Sequence, residues 1–574
     1  MVKHWAVKNK KSARENIPGE YHPIILQLLL NRSLISEKDQ REFFDSDYAK
    51  NIADPFLFSD MEKAVNRIIA AKKHSGHPEE KVAIYGDYDA DGVTATAMLF
   101  ETLEKLGFKN VIIYIPDRQL EGYGLNSEAI QYLSAEKVRL IITVDCGITS
   151  LEEIEKANKL GMDVIITDHH HVPRKLPKAF AIINPNVKNC EYPEKNLAGV
   201  GVAFKLAQAL YEKINPKKKE QIKWSLDLAA IGTIADCVPL LGENRILAKY
   251  GLVVLSKTRR PGLLEMFKVG RITIDENNIP NAQKISFMLA PRINAAGRMD
   301  HANISYKLLI EKNTAMARTM ALEIESKNQE RQKITGEITR EVKILAENMF
   351  RDRKFIFAEN EHWQVGILGL VAGKITDEFN KPAVILQKQE REYVGSLRSI
   401  PQINIIEVLE ECEDLIVKFG GHSQAAGVRV AHDKIEKFYA KMERIISKRL
   451  AGKNIMPEIG IDLEIGAEDI NWDLVSEIKK MEPFGEGNEE PVFLMKNMLV
   501  DGLKIVGNGN KHLKLALRFQ SGSPKIFDAI GFGFGEKFPD LMPGSVVDIV
   551  FNLQEDEWNG NKKIQLKLID LKTS

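Results

Sequence analysis

The chain has 574 residues, 28% of them charged and 44% hydrophobic, which suits roughly three to four ordinary globular domains. Its 80 basic and 80 acidic residues cancel, so bulk charge neither demands nor excludes a nucleic-acid partner. Four scattered cysteines without a C-x-x-C pair argue against zinc fingers and a disulfide framework, and fit a reducing cytoplasm. No stretch approaches the roughly 20 apolar residues of a membrane span. The N-terminal Met-Val-Lys-His-Trp-Ala-Val-Lys lacks the apolar core of a signal peptide. A soluble, cytoplasmic protein without membrane attachment is expected.

In chain order, residues 1–60 read as short amphipathic helices, most apolar at Pro23-Ile-Ile-Leu-Gln-Leu-Leu-Leu30. Residues 81–185 alternate strand and helix patterns, with candidate strands at 82–85, 111–115, 140–144, 164–167 and 181–183. Connections of that length imply crossover helices and a parallel sheet. Residues 198–310 read mostly helical, and a helix over 224–234 would deliver Asp236. Residues 313–349 contain no proline, and their apolar spacing predicts one long helix with a polar middle, Ser326-Lys-Asn-Gln-Glu-Arg-Gln-Lys333. Such a helix bridges domains, lines a groove or presents an ordinary exposed face. Apolar runs at 354–357 and 382–386 start a second α/β unit. Its Gly366-Ile-Leu-Gly-Leu-Val-Ala-Gly-Lys374 fails the Walker pattern, because Leu368 and Ile375 occupy the positions of the first glycine and the Ser/Thr. Beyond residue 455, alternating patterns such as Leu513-Lys-Leu-Ala-Leu-Arg-Phe519 and Val546-Val-Asp-Ile-Val-Phe551 suggest a small antiparallel barrel.

Four segments place Asp or His at the end of an apolar run: Tyr85-Gly-Asp-Tyr-Asp-Ala-Asp-Gly92, Val144-Asp-Cys-Gly147, Thr167-Asp-His-His170 and Ala235-Asp-Cys237. The first turn is not an EF-hand loop, since the twelfth residue from Asp87 is Met98 where calcium requires Glu. A Rossmann phosphate loop is excluded by glycine spacing and by the carboxylates themselves. What remains is a binuclear centre at the carboxyl edge of a sheet. Two divalent cations about 3.5–4 Å apart would polarise a phosphoryl oxygen and generate hydroxide near neutral pH. Asp145 is the natural bridge, because its strand lies inside the unit. A histidine among carboxylates favours manganese, with magnesium also compatible.

These four segments resemble motifs I to IV of the DHH phosphoesterase superfamily. Further stretches make the chain similar to the RecJ single-strand exonucleases. They are Ile115-Pro-Asp-Arg118 with Glu121-Gly-Tyr-Gly124, Pro291-Arg-Ile-Asn-Ala-Ala-Gly-Arg298, His362-Trp-Gln-Val-Gly-Ile-Leu-Gly369, Gly395-Ser-Leu-Arg-Ser399, Gly420-Gly-His-Ser-Gln-Ala-Ala-Gly427 and Glu482-Pro-Phe-Gly-Glu-Gly-Asn488. The resemblance implies a multidomain α/β protein. A helical segment over 1–60 would pack on a parallel-sheet DHH catalytic domain over 61–312. A linking helix over 313–350, a DHHA1 domain over 351–454 and an OB-type barrel over 455–574 would follow.

It also implies processive hydrolysis of single-stranded DNA from the 5′ end, in repair and recombination. Asp89 and Asp91 look like terminal ligands of separate ions, with Asp145 bridging and His169 and Asp236 completing the ligand set of the second ion. Asp87 would ligate or orient the attacking water, and His170 would face the scissile phosphate. Ser396 and Arg398, supported by Arg118, resemble a pocket for the 5′-terminal phosphate, which a guanidinium fork suits well. Arg292 and Arg298 would contact the DNA backbone, and His422 would face the cleft between the domains. Phe519, Phe532, Phe534 and Trp558 are candidate stacking platforms on the barrel. The family often has His where this chain has Tyr85, which puts any outer-shell role there in doubt. Implied partners are a single-strand-binding protein and a DNA helicase, and a monomer is expected. The rival readings are an oligonucleotide or cyclic-dinucleotide phosphodiesterase on the same core, a manganese pyrophosphatase, and a non-catalytic single-strand-binding replication protein.

Overall fold

The computed structural model describes the whole chain except residues 1–2, 9–20, 73–77, 454, 521–524, 536, 559–560 and 574 and the side chains of Trp558 and Asn561. The chain divides into two compact units. One comprises 53–236 and 250–457, the other 1–52, 237–249 and 458–574. No helix among the described residues is long and apolar enough to cross a membrane.

The larger unit holds two sheets. The first is entirely parallel, in the order Val111–Tyr114, Lys81–Tyr85, Val138–Val144, Asp163–Thr167, Ala181–Ile183. Its inner strands bury every residue from Leu140 to Val144 and from Val164 to Ile166, as a parallel strand covered on both faces must. The strand Lys81–Tyr85 sits between its two successors, so the chain leaves it on one side and returns on the other. That reversal opens a crevice at the carboxyl ends of the neighbouring strands Lys81–Tyr85 and Val138–Val144, where ligands of such sheets bind.

The linking helix runs unbroken over Thr314–Met349, capped by Asn313, whose side chain accepts from the amides of Ala315 and Met316. It leads to the second sheet, ordered Lys418–His422, Ala425–Ala431, Glu392–Arg398, Ala383–Lys388, Ile356–Asn360. Only the pair Ile356–Asn360 and Ala383–Lys388 is parallel. The helix Val365–Phe379 joins that pair and buries Ile367, Leu368, Val371 and Ile375 against them.

The smaller unit corrects the expected domain division. Strands Phe493–Val506, His512–Phe519, Ile526–Gly531, Asn561–Thr573 and Val546–Trp558 close into a barrel, because the first also pairs with the last. Residues 1–60 are expected as helices on the catalytic domain, but only 53–60 fall in the larger unit, and 9–20 lie outside the described residues. Instead, His4–Val7 is a strand paired in parallel with Glu458–Ile461. The helix Pro23–Asn31 contributes Ile24, Ile25, Leu28 and Leu29 to the barrel's own core beside Leu474, Met481 and Phe493. The apolar run was legible, but nothing in a helix face names the surface that covers it. Residues 237–249 join this unit too, although 61–312 was expected as one domain.

Arg245 explains part of that. Its side chain is 1% exposed and donates to the carbonyls of Phe43, Lys480, Met481 and Glu482, with its guanidinium 3.9 Å from the Phe43 ring centroid. The Glu482-Pro-Phe-Gly-Glu-Gly-Asn488 stretch is tied down in the same way. Arg32 donates to Asn488 and to the carbonyl of Glu489, and Leu240 donates to the carbonyl of Glu486.

Candidate active site

The acidic turn is built by sterics. Gly86 leaves the strand Lys81–Tyr85 where a Cβ would lie 2.0 Å from Thr96 Oγ1. Gly92 passes so close to Asp87 that a Cβ would sit 2.6 Å from that residue's own Cβ. Asp89 is the N-cap of the helix Ala90–Lys105, its Oδ1 accepting from the amides of Asp91 at 2.9 Å and Gly92 at 3.0 Å. Asp91 points into the first turn of the helix Gly199–Ile214, accepting from Gly199 N at 2.7 Å and Val200 N at 2.8 Å. Asp145 follows the strand Val138–Val144 with φ 61°, a left-handed conformation that Asp tolerates better than most residues.

Ligand-type atoms of Asp87, Asp89 and Asp145 lie within 4.8 Å of one another, as do those of Asp91, His169 and Asp236, and those of Asp145, His169 and His170. Asp145 and His169 each belong to two clusters. His169 Nε2 lies 3.2 Å from Asp145 Oδ1 and 3.6 Å from Asp236 Oδ2. Asp87 Oδ1, Asp145 Oδ1 and His169 Nε2 are buried and have no hydrogen-bond partner. Three orphaned groups converging on one space are costly unless something positive fills it.

The electrostatics say the same. Burial and then Asp89 push Asp87 up to about 8. Burial and Asp89 also raise Asp91 to about 7, and burial and Asp91 raise Asp236 to about 9. Asp145 is raised well above the carboxylate range by burial and the four other Asp residues. His169 is lowered to about 4, first by burial and then by His170, so it is a neutral imidazole with a free lone pair. Oxygen-rich donors with one neutral nitrogen suit divalent manganese and also accept magnesium.

A pH dependence follows. Carboxylates whose folded pKa lies above the unfolded value stabilise the metal-free protein fully below about pH 4. That stability is lost as pH rises through about 7 to 9, the range to which Asp91, Asp87 and Asp236 are raised. Bound cations take the ionised form, so manganese uptake at pH 7 should release at least about one proton, and affinity should rise towards pH 9. Calorimetry in buffers of different ionisation enthalpy measures the protons released. Uptake without proton release would contradict the clustering.

His170 is held by groups the sequence did not single out. The fully buried Asp168 accepts from His170 Nδ1 at 2.8 Å and from the amides of Ile148, His169 and His170. Burial pushes Asp168 up, but the hydrogen bonds from His170 and those amides prevail and hold it below its ordinary value. Tyr123 Oη lies 3.0 Å from His170 Nδ1 and donates to the carbonyl of Asp145 at 3.1 Å. With Nδ1 occupied, Nε2 is the nitrogen left to meet a substrate. The His422 ring lies 6.5 Å from that of His170, nearly parallel at 14°. Tyr85, where the family often has His, is fully buried and donates to the carbonyl of Gly124, which makes it a support for the Tyr123 loop.

Among the basic candidates, Arg118 lies 4.7 Å over the ring of Tyr88, inside the acidic turn. Arg298 donates to the carbonyl of Gly366 in the first turn of the helix Val365–Phe379. Burial and then Arg118, Arg331 and Arg398 lower Arg298 to about 9, so the arginines are neighbours. A Cβ on Gly369 would lie 3.4 Å from Ser396 Oγ and 3.5 Å from Arg398 Nη2, which seats both against the same helix turn. A helix N-terminus, a hydroxyl and clustered guanidinium groups form an anion site. Arg292 does not join it. Its Nε donates to Glu325 at 2.6 Å and its Nη1 to the carbonyl of Met288, so it ties the linking helix to its neighbour instead of offering a free fork.

Family models match the chain in three blocks: the DHH family N-terminal domain over 81–233, the DHHA1 domain over 352–448 and the RecJ OB domain over 461–570. The single-stranded-DNA-specific exonuclease RecJ of Bacillus subtilis is 39% identical over 554 residues, covering 96% of this chain and 68% of the relative. That of Haemophilus influenzae is 32% identical, with 96% of each covered. The chain belongs to the RecJ family. The fold agrees: the crystal structure of RecJ with Mn2+ from Thermus thermophilus superposes with a TM-score of 0.82 at 27% identity, covering 99% of this chain and 79% of that one. A second crystal structure of RecJ bound to manganese, 31% identical, covers 70% of this chain and 99% of its own with a TM-score of 0.59. RecJ family membership accounts for the carboxylate–histidine cluster and the barrel together, which a pyrophosphatase reading does not.

Proposed function

We propose that this RecJ-family chain removes nucleotides from the 5′ end of single-stranded DNA by metal-dependent hydrolysis, in DNA repair and recombination. The observation that carries the reading is a carboxylate–histidine cluster and an arginine-rich anion site in the same compact unit. Two bound divalent ions would polarise the scissile phosphate and lower the pKa of the attacking water.

Every other role falls to side chains. Asp87, Asp89 and Asp145 would hold one ion and Asp91, His169 and Asp236 the other, with Asp145 placed to serve both. Asp87, whose Oδ1 is orphaned, also accepts from the nucleophilic water. His170, anchored through Nδ1 by Asp168, offers Nε2 to a phosphate oxygen, and burial opposes but Asp168 raises its pKa, so it carries a proton more readily than a free histidine. Ser396, Arg398, Arg118 and Arg298 receive the terminal 5′ phosphate. His422, whose ring lies beside that of His170, would face the strand.

On the barrel, Phe532 is the aromatic that presents itself. It is 56% exposed and packs edge-on against His512 with centroids 5.2 Å apart, so its free face suits a base. Phe534 and Phe519 pack on the barrel core, and the side chain of Trp558 lies outside the described residues. The family resemblance extends the reading to a monomer working in the cytoplasm with a single-strand-binding protein and a DNA helicase.

A time course with single-stranded DNA labelled at either end, in manganese and in magnesium, tests the proposal. The 5′ label should appear first as mononucleotide while the 3′-labelled strand shortens progressively. The opposite order would refute the polarity, and an intact strand in both metals would refute the activity.

A further inference from the structure

One side of the linking helix carries a contradiction. Its buried positions Ile324, Asn328, Thr335, Ile338 and Val342 recur at helical spacing, and Arg331 falls on the same stripe between Asn328 and Thr335. The stripe is apolar at both ends and polar in its centre. Arg331 is half-buried, donates from Nη2 to Asn328 Oδ1 at 2.8 Å, and has a buried Nε without any hydrogen-bond partner. Its charged neighbours make this worse. Burial and then Arg292 lower Arg331, and Arg331 adds to the burial and Arg118 that lower Arg298. The carboxylate of Glu325 already serves Arg292, and Asp300 serves Lys327. No ion pair engages Arg331 among the described residues. A half-buried guanidinium flanked by two others, with no anion of its own, is unfavourable in the protein alone.

We infer that Arg331 holds a backbone phosphate of the substrate strand beside Arg298, with Asn328 fixing its guanidinium. The inference rests on the single-strand reading above and extends it to a residue on the linking helix. A strand supplies the polyanion that a row of arginines lacks. Arg292, neutralised by Glu325, ends the row, and Asp89 of the metal turn lies near its other member, Arg298.

The test uses the full chain and 5′-phosphorylated oligodeoxynucleotides, measuring binding against salt. Arg331→Ala should weaken binding roughly tenfold and lower the slope of log K against log salt by about 0.7, the share of one phosphate contact. Arg331→Lys, which keeps the charge, should retain the slope and guards against misfolding as the cause. Substituting a neutral methylphosphonate at each linkage in turn should then cost wild type affinity at one position and cost Arg331→Ala nothing there. An unchanged slope in Arg331→Ala, or losses that add at every linkage, would overturn the inference. Loss of hydrolysis by the wild-type chain itself would instead strike the parent reading, so the two failures are distinguishable.

Discussion

Asp145→Ala should lower hydrolysis by well over about 100-fold while leaving single-strand binding within a few-fold of wild type. The floor comes from outer partners of metal ligands, whose loss alone typically costs 10- to 100-fold. Asp145 belongs to two ligand clusters, so removing it should loosen both ions. Binding should survive because the arginine site lies on other elements: Arg398 on the strand Glu392–Arg398, Arg298 on the helix Ala290–Met299 and Arg118 after the strand Val111–Tyr114. The left-handed φ of 61° strains alanine, so Asp145→Asn is the matched variant: it keeps the shape and tolerates that conformation. Both variants should be inactive, and both should bind oligonucleotide in a fluorescence-anisotropy titration. Near-normal hydrolysis in Asp145→Asn would rule out the bridging role.

Arg398→Ala should discriminate between strand ends. A charge-assisted hydrogen bond to phosphate is worth about 1.5–3 kcal/mol, so kcat/KM on 5′-phosphorylated strands should fall roughly 10- to 100-fold. Strands ending in a 5′ hydroxyl never make that contact and should lose little. The guanidinium of Arg398 is depressed by burial and by Arg118, which marks it as a charge held ready for an anion, with Asp377 only partly offsetting this. Equal loss on both strand types would mean that Arg398 merely supports the Glu392–Arg398 strand.

Much of the centre was legible because its chemistry is local. Alternate Asp residues after an apolar run, and Asp-His-His after another, are short patterns whose residue types leave few alternatives. Their convergence also followed from parallel strands sharing one carboxyl edge. Asp168 and Tyr123 were printed inside those same motifs, yet their roles depend on which nitrogen of His170 they reach, and that is a matter of rotamer and register. Arg292 and Arg331 show the reverse failure. Both are arginines in polar helical stretches, and only the position of Glu325 separates a structural clamp from an uncompensated charge. The strand Ile526–Gly531 is hard to read from sequence because its short alternation is weak, and its pairing with Asn561–Thr573 is parallel and remote in sequence.

The strand His4–Val7 has a consequence for how the protein is made. Trp5 donates to Asp570 across 565 positions, and Lys8 to Asp462 across 454. Ribosomes deliver the N-terminus first, so the helix that fills part of the barrel's core emerges long before any barrel strand exists. The intervening unit, with its mostly nearest-neighbour parallel pairing, can fold while Ile24, Ile25, Leu28 and Leu29 still lack the surface that buries them. Closing so long a loop adds little entropy beyond closing a moderate one, but it comes last in time. The nascent chain therefore carries an exposed apolar helix through most of its synthesis, and a C-terminal fragment cut at residue 458 would lack part of its own core.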